Sequence, residues 1–536
     1  MSAQIDRFVH DGLPPPELLP VFRYDLPELQ LPDQLNLVEE LLDKATAKGF
    51  GDKPMLRSPT RTLTYAQAAV EVNRMAQVLT EDLGLVPGNR VLLRGGNSIP
   101  MALAWLAVVK AGLIAVATMP LLRARELGDI IDKAKPAVAL CEAKLIDEML
   151  VAQRANPVLK QVMAFKTDAA DGLEAMAARK SGIFPACPTA ADDIALLAFT
   201  SGTTGKPKAP ATTHRDVLAM CETWPRHILR ATSDDIVMGS PPLAFTFGLG
   251  GLLVYPMWAG SSIYYPDIPY TPEGMVKLIN ETGATIVYTA PTFYRQMAPF
   301  AKQHGVPTLR ITVSAGEALP DATRQLWKDA TGIEMLDGIG GTEVFHIYIS
   351  AAGHEVKRGA IGKAVPGFIA KVVDDDGNEV PRGTVGKLAI QGPVGCRYFD
   401  DARQTAYVKN GWNYPGDAFS QDDDGYFFYQ SRADDMIITA GYNVGGPEVE
   451  DALLQHPAVA ECGVIGKPDD DRGMIVKAYC VLKPGYTGDA ALCKALQDHV
   501  KATIAPYKYP REIEFVDVLP RTETGKLQRF KLRQTP

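Results

Sequence analysis

The chain has 536 residues, of which 46% are apolar and 22% are charged, and it carries 63 acidic against 55 basic residues. This composition excludes a fibrous or disordered chain, and the net charge of −8 argues against a nucleic-acid polymer as a partner. Because a chain of this length exceeds one ordinary hydrophobic core, two or more domains are expected.

The cysteines and the N-terminus indicate the compartment. Seven cysteines lie far apart without a CxxC pair, which is typical of a reducing environment and argues against structural zinc. The first residues lack the pattern of a secretory signal, so a cytoplasmic location is predicted. The longest apolar stretch, Met101–Pro120, is interrupted by Lys110 and Gly112. It predicts a helix followed by a buried strand, not a membrane span.

Short apolar runs alternate with helical periodicity through the first part of the chain, a pattern typical of α/β layers with mostly parallel sheets. The runs predicted as strands are Arg90–Leu93, Ala137–Leu140, Ile194–Phe199, Ile236–Met238, Ser262–Tyr265 and Thr285–Tyr288. The predicted helices between them include Thr64–Leu83, His214–Leu229 and Pro272–Glu281.

The pattern changes towards the C-terminus. Strands separated by Asp/Gly turns predict a small β-rich unit at Ala370–Val373, Lys387–Gln391 and Gly425–Tyr429. A compact α/β pattern then follows, with elements predicted at Pro447–Gln455, Val459–Ile465, Val476–Leu482 and Asp489–Lys501. We therefore expect an N-terminal domain of residues 1–431 and a C-terminal domain of residues 432–536.

A polar loop follows the predicted strand Ile194–Phe199. Its glycines free backbone N–H groups, its hydroxyls add donors and its lysines add positive charge, so it predicts a phosphate-binding loop. It is not a P-loop, because only two residues separate its glycines and Pro207 stands where Ser or Thr would bind magnesium. The candidate ligands are Thr200, Ser201, Gly202, Thr203, Thr204, Gly205, Lys206 and Lys208.

Further clusters are weaker signals individually. Asp337–Glu343 follows a strand predicted to end near Leu336, and its Thr342 and Glu343 offer oxygen donors suited to Mg²⁺. The alternative is a glycine-rich turn with a solvated glutamate. Asp417 could accept hydrogen bonds from ribose hydroxyls or belong to an ordinary β-turn. The segment Ser431–Asp435 could be a charged linker, and a lysine such as Lys526 is usually solvated.

In their order and spacing these clusters, together with Ser314–Pro320, resemble the adenylate-forming superfamily, which includes acyl- and aryl-CoA synthetases, luciferases and peptide-synthetase adenylation domains. The resemblance runs from about residue 35 to the C-terminus. It implies an α/β fold with a large N-terminal domain of parallel and mixed sheets flanked by helices, a small β-rich unit, and a small mobile α+β C-terminal domain.

The resemblance implies roles for single residues. Besides the loop, the implied ATP and AMP ligands are Gly316, Glu317, Ala318, Asp337, Gly338, Ile339, Thr342, Asp417, Arg432 and Lys526. Thr342 would contact the α-phosphate, Glu343 would bind Mg²⁺, and Lys526 would be the catalytic lysine of adenylation. Asp434 matches the hinge, and Gly441 matches the tunnel for the coenzyme A thiol.

Other segments match those that line the acyl pocket in this family. The implied pocket residues are Phe245, Tyr288, Ala290, Gly338, Gly340 and His346. Flat aromatic walls and glycine-sized space suit a planar ring better than a flexible acyl tail. The pattern is similar to benzoate–CoA ligases, and Val116–Ala124 looks more like the 2-aminobenzoate branch.

The implied enzyme is an AMP-forming acid–thiol ligase. An aryl carboxylate, either 2-aminobenzoate or benzoate, and ATP would give aryl-AMP and pyrophosphate, after which coenzyme A would give aryl-CoA and AMP. ATP, Mg²⁺, coenzyme A and a small aromatic acid are thus expected, without nucleic acid or membrane partners. The oligomeric state is undecided, and a homodimer is one option.

Four alternatives stay open at this point. Within the class they are an adenylating enzyme that loads a carrier protein and a short- or medium-chain acyl-CoA synthetase. Outside it they are an ATP hydrolase or kinase and an inactive nucleotide-binding module. The missing P-loop argues against the kinase, and the presence of Lys526, Glu343 and Asp417 argues against the inactive module.

Overall fold

The computed structural model describes residues 1–200, 207–266, 268–316, 318–432, 435–439, 442–469, 472–521 and 526–534. In these residues the chain forms four sheets with helices packed around them. None of the helices in these ranges combines the length and apolar composition that a membrane span needs.

The first sheet carries the strand that leads into the polar loop. Strand Ile194–Leu197 pairs in parallel with Ile114–Thr118 and antiparallel with Ala211–Thr213, so the chain enters and leaves the loop on neighbouring strands. In spatial order, the strands described in this sheet are Gln161–Phe165, Val138–Glu142, Arg90–Arg94, Ile114–Thr118, Ile194–Leu197 and Ala211–Thr213.

The second sheet is the largest, with nine strands in the described ranges. Four parallel neighbours at its centre, Ile236–Gly239, Ile286–Thr289, Ile311–Ser314 and Leu336–Gly340, end at the same edge of the sheet. In spatial order the strands are Lys363–Ala364, Ile347–Ala351, Leu336–Gly340, Ile311–Ser314, Ile286–Thr289, Ile236–Gly239, Ser262–Tyr264, Pro54–Arg57 and Thr62–Thr64.

Two smaller sheets follow along the chain. The β-rich unit contains the strands Ile369–Val373, Gly386–Gln391, Val408–Lys409, Trp412–Asn413, Asp417–Gln421 and Phe427–Arg432. The C-terminal sheet contains the strands Ile437–Thr439, Tyr442–Val444, Val459–Asp469, Gly473–Leu482 and Glu512–Phe515.

Helices cover the faces of these sheets. In chain order they are Phe8–Asp11, Leu37–Leu41, Tyr65–Gln77, Ile99–Lys110, Ala124–Ala134, Ile146–Ala155, Leu173–Ala177, His214–Cys221, Thr246–Leu249, Tyr255–Ala259, Pro272–Thr282, Pro291–His304, Asp321–Thr331, Gln404–Tyr407, Gly446–Leu454, Ala490–Thr503 and Arg529–Gln534. Wider helical turns lie at Val78–Asp82, Pro225–Leu229 and Gly250–Val254.

The long apolar stretch forms core. Helix Ile99–Lys110 is buried along nearly its whole length and leads to the buried strand Ile114–Thr118, as expected. Lys110 is 1% exposed, and its Nζ donates to Asp43 Oδ1 at 2.6 Å. Because this buried ammonium is paired, the helix can lie inside a protein layer.

The fold class is confirmed, since the described sheets and helices form the expected α/β arrangement with a β-rich unit and a C-terminal α+β part. Several predicted boundaries differ, among them the following three. The predicted helix His214–Leu229 ends at Cys221, and the wider turn Pro225–Leu229 follows because Pro225 has no N–H to continue the bonding. The strand predicted to end near Leu336 begins there. The strand Phe427–Arg432 starts later than predicted, since Gly425 turns at φ +85°.

Candidate active site

The polar loop is closed at its base. Thr200 and Lys208 exchange two backbone hydrogen bonds, with N–O distances of 3.0 and 3.1 Å. Just beyond, the Ala211 N–H donates to the Arg397 carbonyl at 2.8 Å, so the β-rich unit holds the chain where it leaves the loop. The predicted ligands Ser201, Gly202, Thr203, Thr204, Gly205 and Lys206 lie outside the described residues.

A tyrosine links the loop to the predicted magnesium ligand. Lys208 Nζ donates to Tyr398 Oη at 3.1 Å, and Tyr398 Oη donates to Glu343 Oε1 at 2.5 Å. Burial and the nearby Glu343 charge raise the pKa of Tyr398 far above its ordinary value, so the phenol stays protonated. Sequence reasoning missed Tyr398, because only long-range pairing of residues 397–399 with residues 209–211 brings it here.

The predicted adenine segments lie at the edge where the parallel strands end, the usual ligand edge of an open α/β sheet. Gly316 turns the chain at φ +91°, and an ideal Cβ there would lie 3.8 Å from Lys526 Cε. Gly316 and Ala318 are both exposed, and Glu317 lies outside the described residues. Lys526, on the C-terminal part of the chain, therefore reaches the predicted adenine segment.

Strand Leu336–Gly340 carries the residues predicted on the other side of the adenine, Asp337, Gly338 and Ile339. Asp337 is 4% exposed, and burial raises the pKa of its carboxyl to about 6, although Arg324 Nη2 lies 3.7 Å from Oδ2. The Gly338 N–H donates to Asp337 Oδ1 at 2.9 Å. The Asp337 carboxyl is thus held in a fixed position, and its pKa of about 6 lies close to neutral pH.

Asp417 and Arg432 form the predicted ribose pair. They lie opposite each other on paired strands, and Arg432 Nη1 donates to Asp417 Oδ1 at 3.0 Å. Gly416 is required between them, because a Cβ there would lie 2.8 Å from Arg432 Nη2 at a φ of +84°. Burial raises the pKa of Asp417, and the charges of Arg432 and Lys526 oppose that shift. Lys526 therefore acts on both the adenine and the ribose side.

The C-terminal part docks on the rest of the chain through the helix Gly446–Leu454. The Ala322 N–H donates to Asp451 Oδ1 at 3.0 Å, and Arg295 Nη2 donates to the Leu454 carbonyl at 3.3 Å. These contacts belong to the arrangement in which Lys526 reaches the site. Asp434, the predicted hinge, and Gly441, the predicted tunnel residue, lie outside the described residues.

Aromatic rings surround His346 in the predicted acyl pocket. Its ring centroid lies 5.3 Å from Trp224, 5.4 Å from Phe247 and 4.8 Å from Tyr255. The Phe247 ring also packs on Tyr288 at 5.8 Å. His346 and Tyr288 thus share one aromatic cluster with Phe247. The predicted residue Phe245 precedes this ring at the N-terminal cap of the helix Thr246–Leu249. Trp224 and Tyr255 were not predicted, because neither lies in a segment that resembles the family's pocket.

Glycines allow the residues of this cluster to pack closely. In the turn Gly250–Val254, a Cβ on Gly250 would lie 2.7 Å from His346 Cδ2, and one on Gly251 would lie 2.6 Å from Tyr288 Cε1. A Cβ on Gly338 would lie 2.6 Å from Ile347 Cγ2, and one on Gly340 would overlap the His346 carbonyl oxygen. Predicted residue Ala290 follows strand Ile286–Thr289 and caps the helix Pro291–His304.

The cluster holds buried polar atoms without hydrogen-bond partners among the described residues. They are both ring nitrogens of His346, Trp224 Nε1, and the hydroxyls of Tyr255 and Tyr288. Burial lowers the pKa of His346 to about 3, and the Phe247 backbone opposes that shift. His346 is therefore neutral near pH 7, with one nitrogen able to accept a hydrogen bond and one able to donate.

Glu343 lies in the short helical turn Thr342–Val344, beside Thr342. Across the described ranges no three His, Cys, Asp or Glu side chains cluster as a metal cage. One carboxylate and one hydroxyl fit Mg²⁺ all the same, because this ion is commonly held by one or two carboxylates and the phosphates of its nucleotide.

The comparisons with known proteins agree with this geometry. The family model of AMP-binding enzymes matches residues 43–398, and that of the AMP-binding enzyme C-terminal domain matches residues 448–526. A benzoate–CoA ligase of Thauera aromatica is 36% identical over 512 residues, which covers 95% of this chain and 97% of that one. A 4-hydroxybenzoate–CoA/benzoate–CoA ligase of Rhodopseudomonas palustris is 31% identical over 510 residues, 93% of this chain and 94% of that one.

Solved structures give the same result. The anthranilate CoA ligase AuaEII in complex with anthranoyl-AMP superimposes with a TM-score of 0.90 at 33% identity, covering 95% of this chain and 98% of that one. A benzoate CoA ligase from Burkholderia xenovorans LB400 gives 0.85 at 30% identity, over 93% of this chain and 100% of that one. Matches of this extent in sequence and structure mean that the chain belongs to the family of AMP-binding enzymes.

Proposed function

We propose that this protein is an AMP-forming ligase that joins an aromatic carboxylic acid to coenzyme A. The acid and ATP would give aryl-AMP and pyrophosphate, and the thiol of coenzyme A would then give aryl-CoA and AMP. The observation that carries the proposal is the aromatic cluster around His346. It lies next to the strand Leu336–Gly340, which pairs with Ile347–Ala351 and with Ile311–Ser314. The second of these strands leads to Gly316, where a Cβ would lie 3.8 Å from Lys526 Cε.

The first half-reaction brings two anions together. A carboxylate about 4 Å from a phosphate charge is repelled by roughly 4 kcal/mol at an effective dielectric constant near 20. The Lys526 ammonium, which reaches Gly316 and acts on Asp417, offsets this repulsion and stabilises charge in the transition state. No general base is needed, because the acid is already ionised.

The nucleotide would be held by the residues around Lys526. Thr200, Lys208 and the loop between them are proposed to hold the β- and γ-phosphates, Thr342 the α-phosphate, and Asp417 with Arg432 the ribose. Glu343 would hold Mg²⁺, and Thr342 precedes it in the same helical turn. When bound, Mg²⁺ would neutralise phosphate charge on ATP.

The second half-reaction needs a different arrangement. A thiol must reach the acyl carbon, and Lys526 in its present position would stand in the way. We therefore propose that residues 432–536 rotate about Asp434, so that Gly441 lines the thiol tunnel. Arg432 ends a strand of the β-rich unit and Ile437 begins one of the C-terminal sheet, so the proposed hinge lies where the chain passes between the two sheets.

Among aromatic acids we propose 2-aminobenzoate over benzoate. A buried polar atom left without a partner costs about 1–3 kcal/mol, so the polar atoms around His346 favour an acid that brings hydrogen-bonding groups beyond its carboxylate. An unsubstituted ring would leave more of these atoms unpaired. The similarity to an anthranilate CoA ligase solved with anthranoyl-AMP supports the same choice. A cytoplasmic location stays a prediction from the sequence, and a homodimer stays one option for the oligomeric state.

A panel of acids tests the proposal. Purified protein with ATP, Mg²⁺ and coenzyme A should form AMP, with the highest kcat/KM for 2-aminobenzoate, then benzoate, and little for octanoate. An analogue lacking a substituent that the site hydrogen-bonds is usually discriminated strongly, so the first ratio should exceed about tenfold. Turnover of octanoate with no activity on either benzoate would refute the aromatic pocket.

A further inference from the structure

We infer that Tyr398 is a positioning residue that keeps Lys208 and Glu343 apart, so that both stay available to ATP and its metal ion. The inference rests on the proposed function, because it assumes that this site binds ATP with Mg²⁺. It assigns a role in that site to a residue that lies more than fifty positions from Glu343 in the sequence.

The phenol stands between opposite charges. Lys208 Nζ donates to Tyr398 Oη at 3.1 Å, and Tyr398 Oη donates to Glu343 Oε1 at 2.5 Å. One hydroxyl can accept one hydrogen bond and donate another, so both contacts form at once. Each charged group is thereby held in place while its charge is left intact.

Tyr398 cannot easily move away. Its side chain is 1% exposed, and its ring packs edge-on against Tyr407 at 5.7 Å. Its N–H donates to Gln404 Oε1 at 2.9 Å, and its backbone bridges to Pro210 beside the polar loop. The hydroxyl is therefore fixed relative to both the loop and the β-rich unit.

Both neighbours keep capacity for ligands. Glu343 accepts the phenol hydrogen bond through Oε1. Its other oxygen, Oε2, faces the space beside Gly341, where a Cβ would lie 3.3 Å away but glycine has no side chain. Lys208 uses one of its three ammonium hydrogens for Tyr398. An oxygen ligand for a metal ion and a cation for phosphate thus remain available next to each other.

Without the hydroxyl, the two charges would attract each other directly. In a partly buried site a direct ion pair between lysine and glutamate is stronger than at the surface. Such a pair would neutralise the cation that phosphate needs and the carboxylate that the metal ion needs. Tyr398 prevents this loss by satisfying both groups with a neutral partner.

The test compares Tyr398→Phe with Tyr479→Phe, a buried tyrosine whose hydroxyl donates to the Leu532 carbonyl in the C-terminal part. Calorimetry measures the Kd of ATP with Mg²⁺ and with EDTA, without acid or coenzyme A. We expect Tyr398→Phe to weaken MgATP binding by about tenfold, the effect of one hydrogen bond to a charged group, and metal-free ATP binding by less. Tyr479→Phe should leave both Kd values unchanged.

A second comparison separates the inference from a merely structural role. In a Glu343→Gln background Lys208 has no carboxylate to pair with, so adding Tyr398→Phe should change the metal-free ATP Kd by less than about twofold. We expect a crystal structure of Tyr398→Phe to show Lys208 Nζ within ion-pair distance of the Glu343 carboxylate.

Two results would overturn the inference. One is an unchanged MgATP Kd in Tyr398→Phe. The other is an equal loss with and without Mg²⁺ that persists in the Glu343→Gln background, which would mean that the ring only supports the fold. If the wild-type protein itself did not bind MgATP, the proposed function would fail instead.

Discussion

Asp417 is almost fully buried and accepts a hydrogen bond from Arg432, and the charge of Lys526 acts on the same carboxylate. His346 differs from Asp417, because burial lowers the pKa of its ring to about 3 and keeps the ring neutral. At the scale of single residues, the site thus holds a carboxylate paired with an opposite charge and a histidine ring kept without charge.

Lys526→Ala removes the cation that reaches the nucleotide side. Formation of aryl-AMP should fall by about 10²–10³-fold, the usual cost of losing one electrostatic donor in a transition state. Formation of aryl-CoA from added aryl-AMP should keep its rate, since the proposed role of the lysine is confined to the first half-reaction. Rapid-quench measurement of each half-reaction checks this, and an equal loss in both would refute the role of Lys526.

Asp337→Asn tests the buried carboxyl. Its pKa in the folded protein is about 6 against an ordinary value of 3.8, so the folded state holds a proton that the unfolded chain has lost between these values. The unfolding free energy must then fall as pH rises through this window, by up to about 3 kcal/mol. We expect the Tm of the variant to match wild type near pH 4 and to exceed it at pH 7.5. Parallel Tm curves would contradict the raised pKa.

At the scale of elements, local patterns predicted which segments form strands and helices but not how distant segments meet. The helix Tyr65–Gln77, for example, begins at its capping residue Thr64 inside the predicted range. The glycines after Leu336 were predicted to follow a strand, yet Gly338 and Gly340 belong to one. Glycine is needed at both positions because the neighbouring strand Ile347–Ala351 approaches closely. No local sequence pattern connects that strand to these glycines.

Gly340→Ala should disturb this strand pair. A Cβ at Gly340 would overlap the His346 carbonyl oxygen, so the strands must separate at a cost of about 1–3 kcal/mol. The acid should bind more weakly, because His346 belongs to the aromatic cluster. Gly96→Ala is the matched control, since its Cβ would make only an ordinary contact at 3.7 Å with Glu142. Tm and KM for the acid check both variants, and equal behaviour would contradict the packing argument.

The family that the motifs resemble is confirmed, and the roles of the single site residues stay predictions. The segments that carry Gly316, Asp417 and Lys526 meet as the resemblance implied. Tyr398, Trp224 and Tyr255 could not be found this way. A tyrosine or tryptophan in a sequence looks like core, and only the folded chain reveals that its polar atom faces a charge or lacks a partner.

At the scale of the whole molecule, the position of Lys526 depends on how the C-terminal part docks. Asp451 accepts from the Ala322 N–H at the start of the helix Asp321–Thr331, where N–H groups lack partners within the helix. Arg295 donates to the Leu454 carbonyl at the end of the docking helix. Rotation for the second half-reaction would have to break these contacts. The contacts therefore favour the arrangement that serves the first half-reaction.

Asp451→Ala should therefore slow only the first half-reaction. Loss of one hydrogen bond between the two parts of the chain, about 1 kcal/mol, lowers the equilibrium constant for the arrangement with Lys526 in place by about fivefold. Thioester formation from added aryl-AMP should be unchanged or faster. Lys494→Ala, which removes an exposed ion pair with Asp498 in the same part of the chain, should change neither rate. A loss confined to thioester formation would contradict the proposed role of this contact.

The most direct test of the account follows the products of the wild-type protein with 2-aminobenzoate, ATP and Mg²⁺. Before coenzyme A is added, the account predicts pyrophosphate and a mixed anhydride of the acid with AMP that stays bound to the protein. Addition of coenzyme A should convert this anhydride to the thioester and release AMP. Formation of ADP, or cleavage of ATP to AMP without any acyl-adenylate, would contradict the account.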